Sequence, residues 1–236
     1  MKRLARFVLR GGRRRVGAAG PLGARPKLLI FDFDGTIADT FESGLEILNQ
    51  LSGEFGFREL SRNDLSKARD MRTRELMRFL GIRTTAMSRI ARRGTEELRK
   101  RIDAIQPLPG VPEILTAAKH AGFQLGIVTS NSEENVRRFL ANHGLEMFAF
   151  VRSSSKLMGK GREVRALMKE HGLEARDILL IGDETRDIEA AQEVGAHIAA
   201  VTWGYNSRTA LASLQPDHIV ESPGELLALL GEFPQP

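Results

Sequence analysis

Two aspartates separated by one residue, Asp32 and Asp34, stand directly behind the apolar run Leu28–Phe31, with Gly35 and Thr36 following. An apolar run of this kind reads as a strand buried on both faces, so it delivers two carboxylates to the edge of a core. Carboxylates in that position are unfavourable unless a cation or a reactive centre uses them. Loops outside the carboxyl ends of strands are also where open α/β sheets place their sites. A strand followed by a plain Asp-Gly turn is the alternative that this segment alone allows.

Three further segments carry polar side chains at the ends of later apolar runs. The run 124–128 is followed by Thr129, Ser130 and Asn131. Their hydroxyls, with the N–H groups of a following helix start, suit a phosphate oxygen. Capping of that helix by Ser130 or Ser132 is the simpler use of the same residues. The run 178–181 leads to Asp183, with Asp187 four residues on. Asp183 can reach the side of the sheet where Asp32 emerges and complete an oxygen-rich Mg²⁺ site. Asp187 lies one helical turn further, placed to orient a neighbour or a metal-bound water. Either acid would also favour a helix N-terminus electrostatically, and Glu184 is expected to do only that or to face solvent. Lys156 and Lys160 precede a helix. A lysine there can offset charge between a phosphoryl oxygen and a nucleophilic carboxylate, although most lysines are solvated. Lys160, next to its helix, is the better placed of the two.

The elements that must position these groups alternate. Strands are expected at 28–31, 124–129, 148–152, 178–181 and 198–202. Helices are expected at 111–121, 133–143, 163–171, 187–194 and 224–230. Strands separated by helices imply right-handed crossovers and a parallel sheet. Residues 42–106 break that rhythm, reading as helices at 42–55, 62–80 and 85–105 and closing on Pro107 and Pro109. They are expected to form an inserted helical cap over the sheet end where Asp32 emerges. The α/β core then comprises residues 27–41 and 107–236.

Composition narrows the partners. The chain has 236 residues and no cysteine, which excludes disulfides, thiol catalysis and Cys-ligated zinc. No apolar stretch approaches the length of a membrane span. The net charge of +5 is concentrated in residues 1–27, which hold nine basic residues and no acid. Removing those nine from 35 leaves 26 against 30 acids, a net of −4 for the remainder. Nucleic-acid binding by the body is therefore not indicated. Residues 1–26 read as a disordered extension, with an organellar presequence as the lesser alternative and a cytoplasmic location expected. Neither composition nor motifs distinguish a monomer from a homodimer.

Together, DFDGT at 32–36, the strand-ending Thr129 or Ser130, Lys160 and GDETRD at 182–187 resemble the four motifs of the haloacid dehalogenase-like hydrolase superfamily. The similarity spans residues 27–231 and is strongest to its phosphoglycolate phosphatase and β-phosphoglucomutase-like branch. That resemblance implies a Rossmann-like parallel sheet flanked by helices with an inserted α-helical cap. It implies that Asp32 is the nucleophile forming an aspartyl-phosphate and that Asp34 is the general acid and base. Mg²⁺ would be held by Asp32, the carbonyl of Asp34 and Asp183, supported by Asp187. Thr129 or Ser130, with Lys160, would hold the phosphoryl oxygens, assisted by Asn131, Gly35 and Thr36. The substrate would be a small phosphorylated metabolite, phosphoglycolate first. A phosphosugar mutase or a catalytically silent binding protein on the same fold are the alternatives.

An acid at Asp34 disfavours dehalogenation in this superfamily. A phosphonatase-like reaction would need a Schiff-base lysine, and Lys67 and Lys100 read as solvated. The cap arginines Arg69, Arg72, Arg74, Arg78, Arg89, Arg92 and Arg93 read mainly as intrahelical partners of acids, with one or two available to a second anionic group of the substrate. Leu76, Met77, Phe79 and Leu80 read as cap core, and Trp203 and Tyr205 as packing close to the site.

Overall fold

The computed structural model describes residues 25–154 and 159–232. Lys156 and the basic extension, apart from Arg25 and Pro26, lie outside the described residues. Six strands form one parallel sheet in the order β3-β2-β1-β4-β5-β6. They are β1 (Leu28–Phe31), β2 (Gln124–Thr129), β3 (Phe150–Ser153), β4 (Ile178–Gly182), β5 (His197–Val201) and β6 (His218–Val220).

The apolar runs are continuous because both faces of the sheet are covered. Leu29 and Phe31 of β1 pack on one face with α5 (Val111–His120), α6 (Glu133–Asn142) and α10 (Pro223–Gly231). Leu28 and Ile30 pack on the other with α7 (Lys160–His171), α8 (Thr185–Val194) and α9 (Arg208–Ser213). Strand β1 is central, with Phe31 in register with Ile127 of β2 and Ile181 of β4. The backbone N–H of Asp32 donates to the Ile181 carbonyl at 2.8 Å, so pairing ends where the first aspartate begins. Chain order reverses between β1 and β4, which opens a crevice at the carboxyl ends of these strands. Parallel register thus brings the residues after β1, β2 and β4 to one edge.

Helices α1 (Phe41–Phe55), α2 (Leu65–Arg69), α3 (Thr73–Leu80) and α4 (Met87–Arg99) lie between β1 and α5 in the chain. Leu45, Leu60, Ala68 and Leu80 form a small cluster of their own, with Leu76 and Phe79 against it. Ile47, Leu51 and Leu98 instead join the main core, so the block shares apolar contacts with the sheet layer.

Several elements differ from the expectation. The helix expected over 62–80 is interrupted at residues 70–72, because the Asn206 side chain takes the carbonyls of Arg69 and Met71 at 2.9 and 3.0 Å. Thr73 then opens a new helix, with Glu75 accepting the Arg72 N–H at 3.0 Å. The helix expected over 85–105 stops at Arg99, and Ile102–Ala104 form a 3-10 turn that sinks Ile102 into the core. Helix α7 starts three residues earlier than expected, making Lys160 its first residue. Helix α9 and strand β6 are six and three residues long, too short to leave a periodic signal.

The rings of Phe33 and Phe139 meet edge to face at 5.1 Å, and both are fully buried. Phe33 sits between the two aspartates, so its packing fixes their loop. Phe139→Ala should destabilise the protein by about 3–5 kcal/mol in urea unfolding. A loss below about 1 kcal/mol would show that the ring does not anchor this loop.

Candidate active site

The site starts with a strand end that must turn sharply. Gly35 has φ +73°, a conformation that disfavours side chains, and a Cβ there would lie 2.5 Å from Asp183 Oδ2. The turn lets Asp32, Asp34 and Thr36 all face the crevice region. Asp32 is buried; its Oδ1 accepts the Phe33 N–H at 2.7 Å. Its buried Oδ2 is ion-paired with Lys160 Nζ at 2.8 Å and accepts no hydrogen bond among the described residues.

Lys160 projects from the first turn of α7 between Asp32 and Asp187, with an ion pair to each. Burial alone would lower its pKa, but the two carboxylates outweigh that and raise it, keeping the ammonium charged. Asp187 is pushed up by burial, with Lys160 acting against that, and its Oδ2 accepts the Glu184 N–H at 3.0 Å. Asp183 is fully buried at the end of β4. It accepts the Thr36 hydroxyl and the Tyr205 N–H, each at 2.6 Å. Burial, followed by the like charges of Glu184, Asp32 and Asp187, drives its carboxyl well above the ordinary range. Gly204 brings the loop after β5 so close that an added Cβ would collide with the Asp183 carboxylate.

Asp32, Asp183 and Asp187 each offer a carboxylate oxygen, all within 4.8 Å of one another. Oxygen donors packed this densely, with burial and then like charge raising Asp183, fit a hard divalent cation.

Asp34 stands apart from that cluster and lines a cleft of about 290 Å³ between the sheet edge and helices α1 and α4. Burial, and then the Asp32 charge, raises its pKa to about 7. Asn131 donates to both of its carboxylate oxygens at 3.2 Å. The Asn131 carbonyl oxygen in turn accepts from Asn135 and from the Ser132 N–H, which fixes the amide orientation. Ser132 caps α6, accepting the Asn135 N–H at 3.2 Å. Ser130 and Asn131 line the cleft, whereas Thr129 is fully buried with its Oγ1 accepting the Asn131 N–H at 3.0 Å.

Glu184 does more than open a helix. It pairs with Arg186, and both line the cleft beside Asp34. Burial raises Glu184 despite the arginine. The Arg186 guanidinium also donates to Ser130 Oγ at 3.3 Å. Tyr205 lines the cleft as well, its hydroxyl donating to the Thr40 carbonyl at 3.0 Å, while Trp203 donates to the Thr36 carbonyl at 3.3 Å. Arg186 has no counterpart among the residues singled out from sequence. Its only cue was that it occupies the first turn of a helix that also carries Asp187.

None of the seven arginines singled out in the helical block lines this cleft. Arg92 and Arg93 pair with Glu96, Arg69 donates to the Gly204 carbonyl at 2.8 Å, and Arg72, Arg74 and Arg78 border a second groove along α8 that meets the cleft at Arg186. Lys100 pairs with Glu97 at 2.7 Å on the surface, and Lys67 lies over the Phe79 ring.

Residues 29–201 match the family model for the haloacid dehalogenase-like hydrolases. The chain belongs to that family. Within it the chain falls in the phosphoglycolate phosphatase-like branch. It is 34% identical over 200 residues to a phosphoglycolate phosphatase of Synechococcus elongatus, covering 84% of this chain and 94% of the relative. It is 27% identical over 218 residues to one from Aliivibrio fischeri, covering 86% and 96%. The fold is shared with a predicted phosphatase from Clostridium acetobutylicum at a TM-score of 0.76 and 21% identity, over 89% of this chain and all of that one. Among the described residues of this hydrolase, no helix is long and apolar enough to cross a membrane.

The raised pKa of Asp34 has a stability consequence in the metal-free protein. Below about pH 4 the carboxyl is protonated in both folded and unfolded states. Between there and about 7 only the unfolded state ionises, so stability falls, and above 7 the deficit is constant. Asp34→Asn should therefore be stabilising relative to the parent above pH 7 and lose that advantage near pH 4. Chemical denaturation with a chelator present tests this; a pH-independent difference would refute it.

Proposed function

We propose that this hydrolase is a Mg²⁺-dependent phosphatase that cleaves a small soluble phosphomonoester, 2-phosphoglycolate being the leading candidate, through an aspartyl-phosphate on Asp32. The observation that carries the reading is the pairing of two unlike aspartates. Asp32 is held against Lys160 by an ion pair at 2.8 Å, and Asp34 is raised to about 7. A carboxylate paired with an ammonium and a second carboxyl raised by burial are suited to nucleophile and acid roles. The names of the relatives agree with this chemistry, and a cleft of about 290 Å³ suits a small ester.

A phosphate dianion repels a carboxylate, so positive charge must stand beside both. Lys160 supplies one such charge at Asp32. Asp32 Oδ attacks phosphorus, and the bond from phosphorus to the ester oxygen breaks. Protonated Asp34 gives its proton to the departing oxygen. The resulting Asp34 carboxylate, oriented by Asn131, takes a proton from water as that water attacks the aspartyl-phosphate, releasing inorganic phosphate and restoring Asp32. Ser130 or Thr129, the Lys160 ammonium and the 35–36 turn hold the phosphoryl oxygens. Mg²⁺, when bound, supplies further positive charge against these oxygens. Asp32, the Asp34 carbonyl and Asp183 would hold it, with Asp187 positioning Lys160 and the helix start. In this reading residues 42–106 act as the cap and residues 27–41 and 107–236 as the core.

Asp32→Asn should lower metal-dependent phosphate release by about 10³-fold or more. Activity unchanged by that substitution would refute the nucleophile. A chelator should abolish turnover and added Mg²⁺ restore it. Because Asp34 must be protonated to expel an alkoxide, kcat/KM for alkyl esters should fall as pH rises past about 7. Asp34→Asn should slow alkyl esters by about 10²-fold or more while affecting aryl esters less. Equal losses for both would remove the acid role.

A further inference from the structure

We propose that Arg186 selects substrates carrying a second anionic group beside the phosphoester, a carboxylate above all; this rests on the phosphatase reading. The cleft that holds Asp34 has two unlike walls. The wall from α1 and α4 is aliphatic, built from Ile47, Leu48, Ile90 and Leu98, with Gly44 and Gly94 opening space between them. A carboxylate set against such a surface loses hydration without compensation. The opposite wall carries Arg186, the single basic residue among those described that line the cleft.

Arg186 is held ready for an anion rather than fully used within the protein. Both of its contacts, to Glu184 and to Ser130, are made through Nη2. Its Nε–H is buried and has no acceptor among the described residues. A buried guanidinium N–H without an acceptor is unfavourable, and a ligand oxygen would relieve it. Arg186 Nη2 already serves Glu184 and Ser130, so the donor left on that edge for a carboxylate oxygen is the Nε–H. Its tie to Ser130 places it next to the hydroxyl proposed to hold the phosphoryl group, so a second anion one or two bonds from the ester oxygen falls within reach. Glu184 balances the arginine when no substrate is bound, which explains how a cation is tolerated in a largely enclosed position. The choice between esters is thereby assigned to the core helix α8, not to the arginines of the helical block.

The test compares 2-phosphoglycolate with ethyl phosphate, the same skeleton with methyl in place of carboxylate. The parent enzyme should favour 2-phosphoglycolate in kcat/KM. Arg186→Met should reduce that preference at least tenfold, and Arg186→Lys should recover part of it. A parent enzyme without the preference, an equal fall for both esters, or no fall for either would overturn the assignment. Calorimetric binding of both compounds to the full chain bearing Asp32→Asn, with Mg²⁺, repeats the comparison without turnover. Adding Arg186→Met there should erase the difference in affinity. A parent protein inert toward every ester would count against the phosphatase reading alone, and the binding ratio would still decide Arg186.

Discussion

The crowding of carboxylates at one sheet edge is the constraint to which the surrounding structure responds. Asp32, Asp183 and Asp187 come within 4.8 Å of one another in a buried setting, and Asp34 and Glu184 stand close by. Such a group repels itself unless cations intervene. Lys160 intervenes directly between Asp32 and Asp187, and Arg186 balances Glu184 at the rim. Backbone donors absorb further charge, with the N–H groups of Phe33, Glu184 and Tyr205 each directed at one of the acids. What they leave unmatched is suited to a divalent ion and a phosphoryl group.

Close approach of the backbone makes this possible. Gly35, Gly182 and Gly204 surround the acids, and a Cβ at any of them would collide with Asp183 or Asp187. The loop after β5 adds a second connection. Asn206 joins the Thr185 N–H at the head of α8 to the carbonyls of Arg69 and Met71, and Ser207 N–H donates to the Arg69 carbonyl at 2.9 Å. The side chain that fixes the start of the acidic helix through its oxygen interrupts the helical block at residues 70–72 through its nitrogen. The helical block and the acidic cluster are therefore tied through one short segment, and movement of either would strain the other.

Much of the sheet was legible because its strands are apolar on both faces. Runs such as Leu28–Phe31 and Ile178–Gly182 have no polar alternation to confuse with a surface strand, and the intervening helices carry clear periodicity. Elements whose existence depends on distant partners were not legible. Helix α9 and strand β6 are too short to declare themselves, and the break after Arg69 follows from Asn206, more than 130 residues away. The same division runs through the site. Asp32, Asp34 and Asp183 stood out because acids at strand ends demand a reason, and Lys160 only in the company of those motifs. Arg186 did not, since an arginine in a polar helix turn is an ordinary surface residue until its neighbours are known, and Tyr205 was legible only as an aromatic packing close to the site.

Sequence by itself determined the alternation of elements, the parallel sheet and the identity of the acids at its edge, because each is a local property of residue type and spacing. Tertiary structure alone decided which of those groups face one another. It buried Thr129 and set Ser130 on the cleft, placed Asn131 against Asp34, and gave the cleft an aliphatic wall facing the Arg186 guanidinium. Burial, electrostatic balance and hydrogen-bond pairing depend on distances between segments far apart in the chain, and no local pattern encodes those distances.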